Sequence, residues 1–167
     1  MISFEVFEDE PKLQLDMIVT VDVFEHLPAP TAILEKLFQH LSPGGKLLIC
    51  TGDGDCLPCR RAPAEFWYLR PQEHVVMLTC RHAEWLANRL KARLVHWSNA
   101  SHYDVSVGLR LRQHVQNFSY WQFRSKTWLA RNVLRFMPMI RRAANWKTAP
   151  GFTCTKDHVI AVLEKSK

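Results

Sequence analysis

No glycine occurs before position 44 of this 167-residue chain, and all six (Gly44, Gly45, Gly52, Gly54, Gly108, Gly151) lie downstream of it. That excludes a glycine-rich turn cradling a nucleotide in the opening stretch, because such turns need backbone that lies close to the ligand. Nowhere are there about 18 uninterrupted apolar residues, so no membrane-crossing helix is expected. Met1 is followed by ISFEVFEDEPK, which lacks the basic start and apolar run of a secretory signal, and a cytoplasmic location is expected. The cysteines are few and odd in number (Cys50, Cys56, Cys59, Cys80, Cys154), which suits reduced thiols better than a disulfide framework. Cys56 and Cys59 form a CxxC, but no second pair or closely spaced His pair completes the four ligands of a structural zinc site. A loop pair is the simpler reading, with zinc the alternative. Finally, residues 105–156 contain ten basic side chains and no Asp or Glu. The net charge of +6 therefore resides in that segment, the remainder being acidic on balance.

What is present fits one ordinary α/β domain: 47% hydrophobic and 23% charged residues, without internal repeats or low-complexity tracts. DMIVTV, residues 16–21, is apolar and β-branched without alternation, as a parallel strand covered on both faces would be. Pro28 and Pro30 then turn the chain into TAILEKLFQHL, where Ile33, Leu34, Leu37, Phe38 and Leu41 share one helical face. Pro43 should end that helix and Gly44-Gly45 turn the chain into KLLICT, residues 46–51, a second buried strand. Strand, helix and strand in so short a span make a right-handed parallel crossover. A second helix is expected over CRHAEWLANRLKAR, with Thr79 as cap and Ala83, Leu86, Ala87, Leu90 and Leu94 as its stripe. Strands should follow at RLVHWS and at HVIAVLEK, residues 158–165. Inside the basic segment, KTWLARNVLRFMPMIRR places Leu129, Val133, Phe136, Met137 and Ile140 along one face, with Pro138 a kink or break. ISFEVF alternates and reads as a further strand.

The stretch DMIVTVDVFEHLPAPTAILEKLFQHLSPGGKLLICT, with Asp16 opening a strand, Glu25-His26-Leu27 after it, Pro30 at the helix and Pro43-Gly44-Gly45 at the turn, resembles the middle of a class I S-adenosylmethionine-dependent methyltransferase. The likeness is closest to ubiquinone-pathway O-methyltransferases. FWYLRPQEHVVMLT and the terminal DHVIAVLEK are similar to later parts of that family, so the resemblance covers about residues 14–100 and 156–165. It implies a partial Rossmann-like α/β fold with strands in the family order 4-5-7-6 and an inserted basic helical segment. Residues 1–104 would be a partial methyltransferase core, 105–156 an amphipathic insertion or lid, and 157–167 the closing strand.

The resemblance further implies that Val21 and Asp22 lie beside S-adenosylmethionine, that Glu25 and His26 serve catalysis, and that Asp22, Glu25 and His26 hold a divalent cation. A hard cation there would make a substrate hydroxyl a better nucleophile. The plainer alternative is that Glu25 and His26 fix a loop by hydrogen bonds. His74 either faces substrate or packs within its aromatic loop.

Only about 15 residues precede the fourth-strand match, too few for the family's first three strands. The strand beginning at Asp16 should then expose an edge where ligands of such folds bind. Two readings follow. One is a methyltransferase acting on a small or lipid-like acceptor whose adenosyl-binding half is absent, so that the chain alone is inactive, as an incomplete gene product or as one part of a split enzyme. The other is a non-catalytic module that docks a partner or an anionic membrane. The basic segment suits an anionic membrane surface, nucleic acid, or a lid packed over the sheet, so peripheral membrane attachment joins the cytoplasmic expectation.

Overall fold

The computed structural model describes residues 13–69, 73–101, 103–147, 150 and 156–166; the expected strand over ISFEVF lies outside them. Four strands form one sheet in the order β1-β2-β4-β3. They are β1 (Leu15–Val21), β2 (Leu41–Gly52), β3 (Ala92–Ala100) and β4 (His158–Lys165). β1 runs parallel to β2, while β4 is antiparallel to both β2 and β3. This is the arrangement expected from 4-5-7-6.

Helix α1 (Pro30–Gln39) begins with proline in its first turn, where the missing N–H costs nothing. It buries Leu34 and Phe38. Short α2 (Leu57–Arg61) follows β2. Helix α3 (Cys80–Arg89) is capped by Thr79, whose hydroxyl accepts from the His82 N–H at 3.0 Å, and it buries Ala83, Leu86 and Ala87. These side chains meet Leu47, Ile49, Val159, Ala161 and Leu163 of the sheet in one core. Each fully buried leucine there contributes roughly 1.5–3 kcal/mol.

Two boundaries differ from the sequence reading. α1 stops at Gln39, and Leu41 leaves the helical stripe to open β2 instead, fully buried and paired with Leu15. The Pro-Gly-Gly turn is thus a bulge inside β2, where Leu15 pairs with Leu41 and Met17 already pairs with Lys46. Gly44 takes a φ of +79°, and a Cβ on Gly45 would stand 2.9 Å from two backbone oxygens, so both positions require glycine. Leu94 likewise belongs to β3, not to the helix before it.

The expectation of cover on both faces of β1 is corrected. Met17, Val19 and Val21 are more than half exposed. Register places Val19 beside Leu48 and Val162, and Val21 beside Cys50 and Ile160, so these residues share the sheet face opposite the α1/α3 core. Among the described residues no strand pairs with the outer edge of β1. The open edge and the open face therefore meet along one strand.

Residues 107–145 form a basic arm. Its long helix α4 (Val107–Arg124) was not foreseen, because apolar and basic residues alternate over its first turns. α5 (Trp128–Asn132) and α6 (Pro138–Arg141) replace the single amphipathic helix expected there. Of the kink or break expected at Pro138 the structure shows the break, with Pro138 opening the next helix. Of the predicted stripe only Ile140 is buried; Leu129, Val133, Phe136 and Met137 face solvent. The arm's interior is small, built on Tyr120, Ala130, Ile140 and Ala143. It is fastened to the domain where the Tyr120 hydroxyl donates to Glu65 at 2.5 Å and the Arg61 guanidinium lies over the Trp121 ring.

Candidate functional site

The carboxyl end of β1 organises the site. The Asp22 N–H donates to Cys50 O at 3.0 Å, ending the ladder. Asp22 then takes a φ of 51°, a left-handed conformation that aspartate tolerates better than branched residues. This turns the chain away from the sheet and exposes Asp22 and Val21 beside the open edge. A 3-10 turn, Phe24–His26, follows. Phe24 drives its ring into the core, and the turn's twist sends Glu25 inward and His26 outward.

Glu25 is fully buried. Its Oε2 accepts from the Thr51 hydroxyl at 2.8 Å and its Oε1 from the Tyr68 hydroxyl. Burial first, then the hydrogen bond and negative charge of Glu25, push the Tyr68 hydroxyl far above its ordinary value of 10.0, so it remains a donor. The Glu25 carbonyl accepts from the Val75 N–H at 2.9 Å, tying the 73–76 loop to the turn. His26 Nδ1 contacts Glu73 O at 3.2 Å and His74 Nδ1 contacts Tyr68 O at 2.5 Å. The two imidazole rings stand edge to face, 4.7 Å apart, and His74 also packs on Tyr68 at 4.4 Å. Beside them opens a groove of about 840 Å³ lined by His26, Leu27, Pro28, Pro30, Glu73 and Val75 among others.

The residues singled out in sequence thus separate. Val21, Asp22 and His26 reach solvent, whereas Glu25 is an internal anchor with both oxygens engaged. One ligand atom from each of Glu25, His26 and His74 lies within 4.8 Å of the other two. Asp22, which the resemblance adds to Glu25 and His26 as a cation ligand, is not in that group. Thr51 and Tyr68 escaped the sequence reading. FWYL holds three aromatics in a row, and although Tyr68 alone among them carries a hydroxyl, nothing in the string tells that it turns inward to Glu25. Cys56 and Cys59 are buried, and desolvation above all raises the Cys56 thiol to about 12, which disfavours the thiolate that zinc needs.

Gly52, at the end of β2, keeps this arrangement possible. A Cβ there would fall 2.4 Å and 2.6 Å from two Tyr68 ring carbons and 2.8 Å from the Met77 methyl. Gly52→Ala is expected to lower stability by about 1–3 kcal/mol, the usual cost of overpacking a ring that cannot retreat. Urea unfolding checks this, with the midpoint falling and the slope unchanged.

A family model described as a methyltransferase domain matches residues 2–96, and the chain belongs to that family. Among curated proteins nothing matches. A chain of the complex between the Haloferax volcanii Trm112 methyltransferase activator and a methyltransferase is similar at a TM-score of 0.56 and 12% identity, the match covering 96% of this chain and 59% of that one. The S-adenosylmethionine-dependent methyltransferase from Archaeoglobus fulgidus is similar at a TM-score of 0.52 and 13% identity, covering 96% and 64%. A Bacillus halodurans methyltransferase follows at 0.53 and 12%, covering 96% and 69%. The chain therefore spans about three fifths of the length of the first of these, and at such identities the likeness describes the fold alone.

Proposed function

We propose that this chain forms the acceptor side of an S-adenosylmethionine-dependent methyltransferase site. The carrying observation is that the open edge and open face of the sheet converge on Val21 and Asp22, at the carboxyl end of β1. In open α/β sheets ligands bind just there, where the strand order reverses. In this reading Val21 and Asp22 flank the methionine end of the cofactor, and the groove beside His26 takes a small or lipid-like methyl acceptor. His26 is the group at hand to receive the acceptor's proton, since it is exposed on the groove wall. Glu25 acts from behind by holding Thr51 and Tyr68, which fixes the turn carrying His26. Methyl transfer asks chiefly for alignment of nucleophile, methyl and sulfur, so a rigid turn serves it.

The adenosyl-holding portion, in this proposal, comes from strands that pair at the outer edge of β1, with a helix covering Met17, Val19 and Val21. This chain would then bind the cofactor weakly by itself. Calorimetric titration with S-adenosylhomocysteine is expected to give no saturable heat up to about 1 mM for the chain alone. Complementation by a glycine-rich α/β half should restore one-to-one binding, and Val19→Asp should abolish it. Saturable binding by the isolated chain would sink the half-site reading, and activity without any such half would sink it further.

A second reading, attachment to an anionic membrane, is favoured by one specific observation. Trp128 and Phe136 are 73% and 72% exposed in an arm free of acidic residues. It is compatible with the first, since a lipid-like acceptor would be met at that surface.

A further inference from the structure

Two histidines from separate segments, one on the turn after β1 and one on the loop before α3, converge on a single buried carboxylate. Their hydrogen bonds fix their chemistry. A backbone carbonyl only accepts, so the contacts from His26 Nδ1 to Glu73 O and from His74 Nδ1 to Tyr68 O place a proton on Nδ1 of each ring. In the neutral imidazole this leaves the lone pair on Nε2. A ring that gives its other N–H to a carbonyl is the usual state of a metal-ligating histidine, because that bond sets both tautomer and orientation. Glu25 meets the same requirement. Two hydroxyl donors hold its carboxylate in place, yet each oxygen retains a further lone pair.

We infer that Glu25, His26 and His74 form a binding site for one divalent transition-metal ion, opening onto the groove beside His26. One nitrogen of each ring and one Glu25 oxygen lie within 4.8 Å of one another. Ligands about 2.0–2.1 Å from a tetrahedral ion are roughly 3.4 Å apart, so closing the set requires a modest inward turn of the exposed His26 ring. Two imidazoles and one carboxylate favour zinc-like ions over magnesium or calcium, which take oxygen ligands. Three protein ligands also leave a coordination position facing the groove. The set differs from the one implied by family resemblance in using His74 and dispensing with Asp22. It is tested apart from the methyl-transfer reading, since metal binding can be measured with no cofactor present; with the ion bound, His26 Nε2 is occupied and the ion, not His26, would lower the cost of losing the acceptor's proton.

The test is titration of the chain with cobalt(II), followed by its visible d–d absorption, and with zinc in competition. One equivalent is expected to bind with the spectrum of a nitrogen and oxygen site. His26→Ala and His74→Ala should each weaken binding by more than about 100-fold, beyond what loss of an outer partner costs. Asp22→Ala should leave it unchanged. His26 is exposed, so its variant should keep the wild-type circular dichroism, and His74→Gln serves if His74→Ala unfolds. Failure of the wild type to bind at millimolar metal would overturn the site, as would binding that survives loss of His74. A thiolate charge-transfer band abolished by Cys56→Ser would also overturn it, assigning the metal to the CxxC pair.

Discussion

Glu25→Leu is expected to lower the unfolding free energy by about 2–4 kcal/mol, the largest single-residue loss anticipated outside the apolar core. Leucine fills much the same space but accepts no hydrogen bond, so the Thr51 and Tyr68 hydroxyls would both lose the Glu25 oxygen to which each donates. A buried donor left alone costs about 1–3 kcal/mol, and part of the sum is recovered because a carboxylate need no longer be desolvated. Glu25→Gln keeps the shape and one accepting oxygen, and should cost only about 1 kcal/mol. The decisive comparison is the triple variant Glu25→Leu, Thr51→Val, Tyr68→Phe. Removing all partners of a buried polar group together can be nearly neutral, so the triple should be more stable than Glu25→Leu alone. If urea denaturation put Glu25→Leu within about 0.5 kcal/mol of wild type, or the triple below the single, the network would not be what fixes the turn.

This network also marks the limit of what could be read from the string. The parallel pair DMIVTV and KLLICT, the helix between them and the closing HVIAVLEK were legible because long apolar runs and strong punctuation at Pro28, Pro30 and Gly44-Gly45 leave few alternatives. The fate of Leu41 was not, since helical spacing and strand pairing compete for it and only contact with Leu15 decides. Cover on both faces of β1 was inferred from composition alone, but composition reports what a strand is suited to meet, not what is there. Met17, Val19 and Val21 are apolar and exposed. At the site, Glu25-His26 stood out as a pair, yet neighbours in a 3-10 turn diverge, one inward and one to the groove. His74 joins them across 48 positions in sequence through the Val75 to Glu25 backbone bond, a contact no local pattern announces.

The basic arm failed as a predicted helix for a reason that bears on its use. A stripe of Leu129, Val133, Phe136 and Met137 should have sought the domain, but Pro138 cannot sit inside a continuing helix, and the break leaves these side chains outward among Lys126, Arg131, Arg135, Arg141 and Arg142, all exposed. Exposed aromatics ringed by cations and no anions match the interfacial region of an anionic bilayer, where the rings leave water and each cation near the surface gains about 1 kcal/mol. Flotation with vesicles containing phosphatidylserine is expected to carry the chain upward at low salt, and pure phosphatidylcholine vesicles should carry little. Trp128→Ser with Phe136→Ser removes two side chains that would bury most of their surface, together roughly 3 kcal/mol or on the order of 100-fold in partition. Both are so exposed that the double variant should keep its folded stability. Raising salt to about 0.5 M should release the wild type, because screening shortens the reach of the cations to a few ångströms. Equal flotation on neutral and anionic vesicles, or a double variant that floats as well as wild type, would sink the assignment and leave the arm as an open surface for a protein partner.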